Sequence, residues 1–158
     1  FGKIMAKATT IDNKKEIKLF SFATNKEYLL ELFKGLTHEK FLVVLLDKSY
    51  KEITHVFYDV GSLSSVRIDT MDLAKMLAIN KPHSVVIAHN HPGGNFLPSH
   101  DDDVATAKVY MLCKLQGVHL SDHVVIAKNT AYSYFLDGRL QKITSKIDSD
   151  DISKKIEV

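Results

Sequence analysis

The chain has 158 residues, 45% of them hydrophobic and 25% charged, with a formal net charge of +2. That length fits one domain, with or without a tail, and the composition excludes wholesale disorder. With 21 basic against 19 acidic residues no dedicated nucleic-acid surface is implied, although a local basic patch stays open, and the single cysteine, Cys113, excludes an intrachain disulfide scaffold.

The first residues, Phe1 to Lys7, carry no apolar signal-peptide core. The longest apolar run, Phe41 to Leu46, is far shorter than the roughly 20 residues a bilayer requires. A reducing cytoplasm is the expected compartment. Because the chain starts at Phe1 rather than Met, a longer parent is expected.

Residues 1–24 read as a lysine-rich arm with one short strand, Ile17 to Phe22. Thr24-Asn25 then opens a helix whose apolar face is Tyr28, Leu29, Leu30, Leu32 and Phe33, and Gly35 ends it. Phe41 to Leu46 predicts a strand buried on both faces. Asp47 to Lys51 is a turn, and Ile53 to Val60 is the hairpin partner. Asp69 to Asn80 predicts a helix before Pro82, and Val85 to Ala88 a second buried strand. His89 to Pro98 is a loop with two prolines and two glycines. Ser99 to Leu115 predicts a helix with Val104, Ala107, Met111, Leu112 and Leu115 on its apolar side, stopped by Gly117. Val118 to Ala127 and Ala131 to Leu136 are closing strands. Beyond Gly138 the mixed charge predicts a weakly ordered tail, residues 138–158, with some helical tendency.

The chemistry lies between His89 and Asp102. Residues two apart on a strand point to the same face, so His89 and His91 project together and Asn90 points away. Two imidazoles so placed can converge on one metal at about 2.0–2.1 Å each. Pro92, Gly93 and Gly94 turn the chain, Ser99 opens a helix, and Asp102 in its first turn can swing back toward the histidines. Two nitrogens and one oxygen leave a tetrahedral ion one open position, as catalytic zinc sites do. A simpler reading covers part of this: Ser99 and Asp102 form a capping pair, and Asp101 and Asp103 suit the helix dipole without any metal.

His89-x-His91, seven residues, Ser99, two residues and Asp102 resemble the JAMM (MPN+) metalloprotease motif. The surrounding residues resemble the RadC-like branch of that JAB/MPN superfamily: Glu39-x-Phe41 running into Val43-Val44-Leu45-Leu46-Asp47, the Gly61-Ser62-Leu63 turn, and Gly117-Val118 with Asp122-His123-Val124-Val125-Ile126. The resemblance covers residues 25–137. It implies an α/β (α+β) domain, a mixed sheet flanked by helices with cytidine-deaminase-like layering. It also implies one zinc ion per chain held by His89, His91 and Asp102, with Ser99 donating to the oxyanion of a tetrahedral intermediate. A glutamate would act as general base, and Glu39 is the matching position, with Glu31 and Glu52 as rivals. Together these imply hydrolysis of a peptide or isopeptide bond.

Position 93 is Gly where the RadC-like pattern usually has Ser. The family's usual N-terminal helix-hairpin-helix module is not among these residues, so nucleic-acid binding by this chain alone is expected to be weak. A DNA-processing module and a non-catalytic scaffold are the competing classes, and a dimer is left open. The other histidines, His38, His55, His83, His100 and His119, read as surface or strand residues, with His100 nearest the site. A structural hydrogen bond is expected of His123, and packing roles of Cys113, Tyr132 and Tyr134.

Overall fold

The computed structural model describes residues 18–60 and 68–150. The lysine-rich arm up to residue 17, the Gly61-Ser62-Leu63 turn and residues 151–158 lie outside them. Among the described residues are the helices α1 (Phe22–Phe33), α2 (Thr70–Asn80), α3 (His100–Leu115) and α4 (Arg139–Asp150). The strands are β1 (Lys40–Leu46), β2 (Glu52–Asp59), β3 (Ser84–Asn90), β4 (His119–Ala127) and β5 (Thr130–Ser133), in one sheet of order β2-β1-β3-β4-β5. The sheet is mixed: β3 and β4 run parallel and every other pairing is antiparallel. A parallel pair needs a crossover, and α3 supplies it, so the loop 91–99 leaves from the C-terminal end of β3. In open α/β sheets that end is where ligands bind.

The continuous apolar run of β1 follows from burial on both sides. Phe41, Val43 and Leu45 face α2, α3 and α4, where Leu73, Leu77, Ala105, Val109, Cys113 and Leu140 complete one core. Leu42, Val44 and Leu46 face α1, packing with Tyr28, Leu29 and Phe33. The result is helix, sheet and helices in three layers, the α/β arrangement the resemblance implies.

The expected elements hold with five differences. His89 and Asn90, expected in the loop, are the last two residues of β3. Lys18 to Phe20 form no strand, and α1 starts earlier than Thr24 because Ser21 caps it reciprocally with Thr24. The buried stripe of α3 is Asp102, Ala105, Thr106, Val109 and Cys113, not the expected one. Val104, Met111 and Leu115 are 38%, 45% and 83% exposed. The helix carries two apolar stripes, and its phase follows Asp102, which must face β3. β5 ends at Ser133 because the chain curls around Asp122, whose carboxylate accepts from Ser133 Oγ at 2.6 Å and Phe135 N at 2.9 Å. Finally, residues 139–150, expected as a weakly ordered tail with some helical tendency, form a regular helix. Arg139 makes a two-pronged pair with Asp103 of α3 at 2.8 and 2.7 Å, Leu140 is buried, and Tyr110 and Lys114 both reach Asp148.

One irregularity in β4 matters below. Val85 pairs with Leu120 but Val86 with Asp122, so Ser121 is an extra residue in the ladder. Cys113 is fully buried in the core, and burial pushes its thiol up to about 12. Burial thus disfavours the thiolate, the reactive form, at neutral pH. We expect no alkylation of the folded chain and complete alkylation in denaturant, read by mass spectrometry; labelling of the native protein at the free-thiol rate would contradict this burial.

Candidate metal centre

His89 is the sixth residue of β3 and His91 follows its last. His91 N–H donates to Ile126 O at 2.7 Å, which carries the extended course one residue further and keeps both rings on one face. The chain then reverses, with Gly94 N–H donating to His91 O at 3.0 Å. Gly94 has φ +89°, a left-handed conformation that favours glycine, while a Cβ there would stand 3.1 Å from Lys128 Cε, an exposed side chain that can move aside. A Cβ at Gly93 would meet nothing within 4 Å, so the serine of the usual pattern would be accommodated and its replacement leaves the turn intact.

Ser99 caps α3. Its Oγ accepts from Asp102 N at 3.2 Å, and its own N–H donates to Asp102 Oδ2 at 2.8 Å. The capping pair and the convergence on the histidines are therefore one arrangement: the reciprocal cap holds the Asp102 carboxylate with Oδ1 3.1 Å from His89 Nε2 and Oδ2 3.2 Å from His91 Nε2. The two Nε2 atoms are 2.8 Å apart. Ligands of a tetrahedral ion at about 2.0–2.1 Å lie about 3.3 Å from one another, so the triangle is close to the required size.

Proton positions support the same fit. His91 Nδ1 lies 2.6 Å from Asn95 O, and a carbonyl oxygen only accepts, so Nδ1 carries a proton. The neutral His91 ring thus aims the lone pair of Nε2 at the point that His89 and the Asp102 carboxylate also face. Such a convergence of acceptors calls for a cation, and the three residues could hold a metal ion. Burial works against the charge of Asp102; without a metal ion, protons on the ring Nε2 atoms would take the ion's place, and such hydrogen bonds hold its carboxyl well below the usual carboxylate range. A proton competes with a metal ion for His91 Nε2: the hydrogen bond it would make to Asp102 raises the His91 pKa against the cost of burial, with the Asn95 carbonyl and the charges of Asp102 and Glu39 adding to the effect.

Glu39 is half-buried and immediately precedes β1. Phe41 pairs with His89, so continuing that antiparallel register sets Glu39 opposite His91. Asn90, which points away from the histidine face, holds this segment on both sides: Lys40 N–H donates to Asn90 Oδ1 at 2.8 Å, and Asn90 Nδ2 donates to His38 O at 3.0 Å. Glu52 pairs with Leu46 at the far end of β1, about 17 Å along the strand from Phe41. Its carboxylate is buried and accepts from Tyr28 Oη at 2.5 Å, with His55 Nδ1 at 3.0 Å. Glu31, exposed on α1, lines a cleft of about 620 Å³ together with His91.

The RadC-like JAB domain family matches residues 20–140. The chain belongs to that family. It is 33% identical over 91 residues to a UPF0758 protein of Coprothermobacter proteolyticus, an alignment covering 58% of this chain and 39% of the relative. It is 32% identical over 112 residues to a UPF0758 protein of Photorhabdus laumondii subsp. laumondii, covering 71% of this chain and 49% of the relative. The chain thus spans less than half the length of these curated relatives.

Sequence reasoning missed several groups in this RadC-like JAB domain. The clamp by Asn90 was legible only as a side chain pointing away from the histidines. Thr106 and the Asn95 carbonyl gave no signal. His123, expected to make a structural hydrogen bond, makes two: its Nε2 lies 2.8 Å from His89 Nδ1 and its Nδ1 2.6 Å from Thr106 Oγ1. Complete burial pushes its pKa well below the usual value. Tyr134 is wholly buried, as a packing role requires, and His100 is exposed in the first turn of α3. No helix among the described residues is long and apolar enough to cross a membrane.

Proposed function

We propose that this domain is a zinc-dependent JAMM-type hydrolase that cleaves a peptide or isopeptide bond. The observation that carries the reading is the convergence of His89, His91 and Asp102 on one point; Glu39, immediately before β1, would fall opposite His91 if the β1–β3 register were continued. A zinc ion held by those ligands supplies Lewis acidity and lowers the pKa of a coordinated water to about 7. Glu39 takes the proton of the attacking water and delivers it to the leaving nitrogen. The substrate is a polypeptide segment or an isopeptide-linked protein.

Ser99 stabilises the oxyanion. Its oxygen accepts from Asp102 N, and the hydroxyl proton is left for donation. Ser99→Ala is expected to cost about 1 kcal/mol of stability as a lost cap and about 10²–10³ in turnover as a lost oxyanion donor. Ser99→Asn keeps a capping side chain and separates the two effects. If Ser99→Ala loses only that stability, and both variants bind zinc and turn over normally, Ser99 is a helix cap and nothing more.

The test is a panel of peptide, isopeptide and single-stranded DNA substrates offered to the zinc-loaded chain, to the chelated chain and to the chelated chain with zinc restored. Amide cleavage that disappears with chelation and returns with zinc is the expected result. Zinc-dependent cleavage of DNA with all amide substrates intact would overturn the reading.

A further inference from the structure

We propose that His123 and Thr106 are positioning residues that fix the tautomer of His89, so that its Nε2 lone pair rather than an N–H faces the metal position. The inference rests on the metal reading above, but the geometry that carries it lies behind the ligands. Thr106 Oγ1 donates its one proton to the main-chain oxygen of Asp102 at 2.9 Å. Toward His123 Nδ1, at 2.6 Å, that oxygen can then only accept, so His123 carries its proton on Nδ1. His123 Nε2 is left as an acceptor, 2.8 Å from His89 Nδ1, and the proton of the neutral His89 ring is placed on Nδ1. His89 Nε2 is consequently bare. The chain of bonds begins on one ligand, at the Asp102 carbonyl, and ends on another.

The middle ring cannot readily turn over. Tyr134 stacks on it with centroids 4.4 Å apart and planes 11° apart, and Phe41 meets it edge-on at 5.6 Å. His89 and His123 are both buried, at 1% and 0% exposure, so bulk water does not compete for these bonds. A carboxylate, a backbone carbonyl or water commonly accepts the second N–H of a metal-bound histidine. Here a second histidine takes that place, and it is directional only because Thr106 orients it.

The experiment uses the full chain, with zinc affinity read by competition against a chromophoric chelator and the histidine tautomers of the metal-free chain read by ¹⁵N–¹H NMR. His123→Leu removes the acceptor and should weaken zinc binding about 10–100-fold, the usual cost of losing such a partner. Thr106→Val is nearly isosteric, frees His123 to take the other tautomer, and should weaken binding in the lower part of that range. His123→Gln places an amide oxygen near the former Nε2 and should restore most of the affinity. The wild-type spectrum should show Nδ1–H on both His89 and His123. An Nε2–H tautomer of His89 in the wild type, or folded Leu and Val variants that bind zinc as the wild type does, would overturn the relay. So would a Gln variant as weak as Leu, because ring packing would then be the whole effect. If the tautomers are as stated and the wild type binds no zinc, it is the metal reading that fails and the relay that stands.

Discussion

Replacing Glu39 with glutamine is expected to leave zinc bound and to lower hydrolysis by about 10²–10⁴-fold, the usual cost of losing a general base. The amide has nearly the carboxylate's shape but cannot take a proton from water. Glu39 is not among the three clustered ligand residues, so metal content should match the wild type. The same logic extends to Asn90, whose amide brackets Glu39 through His38 O and Lys40 N. Asn90→Ala should reduce turnover by a smaller factor with zinc retained, because the base is present but no longer held. Single-turnover hydrolysis beside elemental analysis checks both. A fully active Glu39→Gln chain would remove Glu39 from that role and leave Glu31 as the remaining carboxylate rival. Glu52 is not a candidate in that event, since it is committed to Tyr28 and His55 at the other end of β1.

Asp102→Asn is expected to abolish tight zinc binding while keeping the start of α3. The amide oxygen can still accept from Ser99 N–H, so the reciprocal cap survives, but the negative charge on the metal is gone. A wild-type chain at a zinc concentration of 100 Kd gains about 2.7 kcal/mol, which for a domain of this size is about 5–15 °C in Tm. The Asp102→Asn chain should show almost none of that shift, and His89→Ala should behave alike. Thermal melts with and without zinc, together with elemental analysis, read the effect. An unchanged zinc-induced shift in Asp102→Asn would remove Asp102 from the ligand set.

Much of the site was legible because its parts follow from local rules. Two histidines a strand step apart must share a face, and a serine and an aspartate three apart must open a helix, whatever lies around them. The β1 run was legible for a similar reason, since only a strand covered on both sides can be apolar at every position. What escaped the sequence depended on contacts distant along the chain. The phase of α3 could not be read because Val104, Met111 and Leu115 form as good an apolar stripe as Ala105, Val109 and Cys113, and only the demand that Asp102 meet β3 selects between them. The polar segment after Gly138 looked unable to hold a structure of its own. Its order is borrowed from α3, through Arg139 on Asp103 and Leu140 in the core. The clamp on Glu39 joins residues 50 or more apart in sequence, which no local pattern anticipates.

The extra residue in β4 gives the site a dependence on counting. On an unbroken strand Leu120 and His123 would face opposite layers, since they are an odd number of residues apart. Ser121 absorbs the odd step, so Leu120 enters the core beneath α3 and His123 still meets His89. A deletion at this one position would remove only a small half-buried serine, yet it would force a choice between the core and the ligand support. A change of length at this position is therefore expected to cost more than a change of residue type. Ser121 should exchange for other small residues, whereas a shortened β4 has to find another partner for His89 Nδ1.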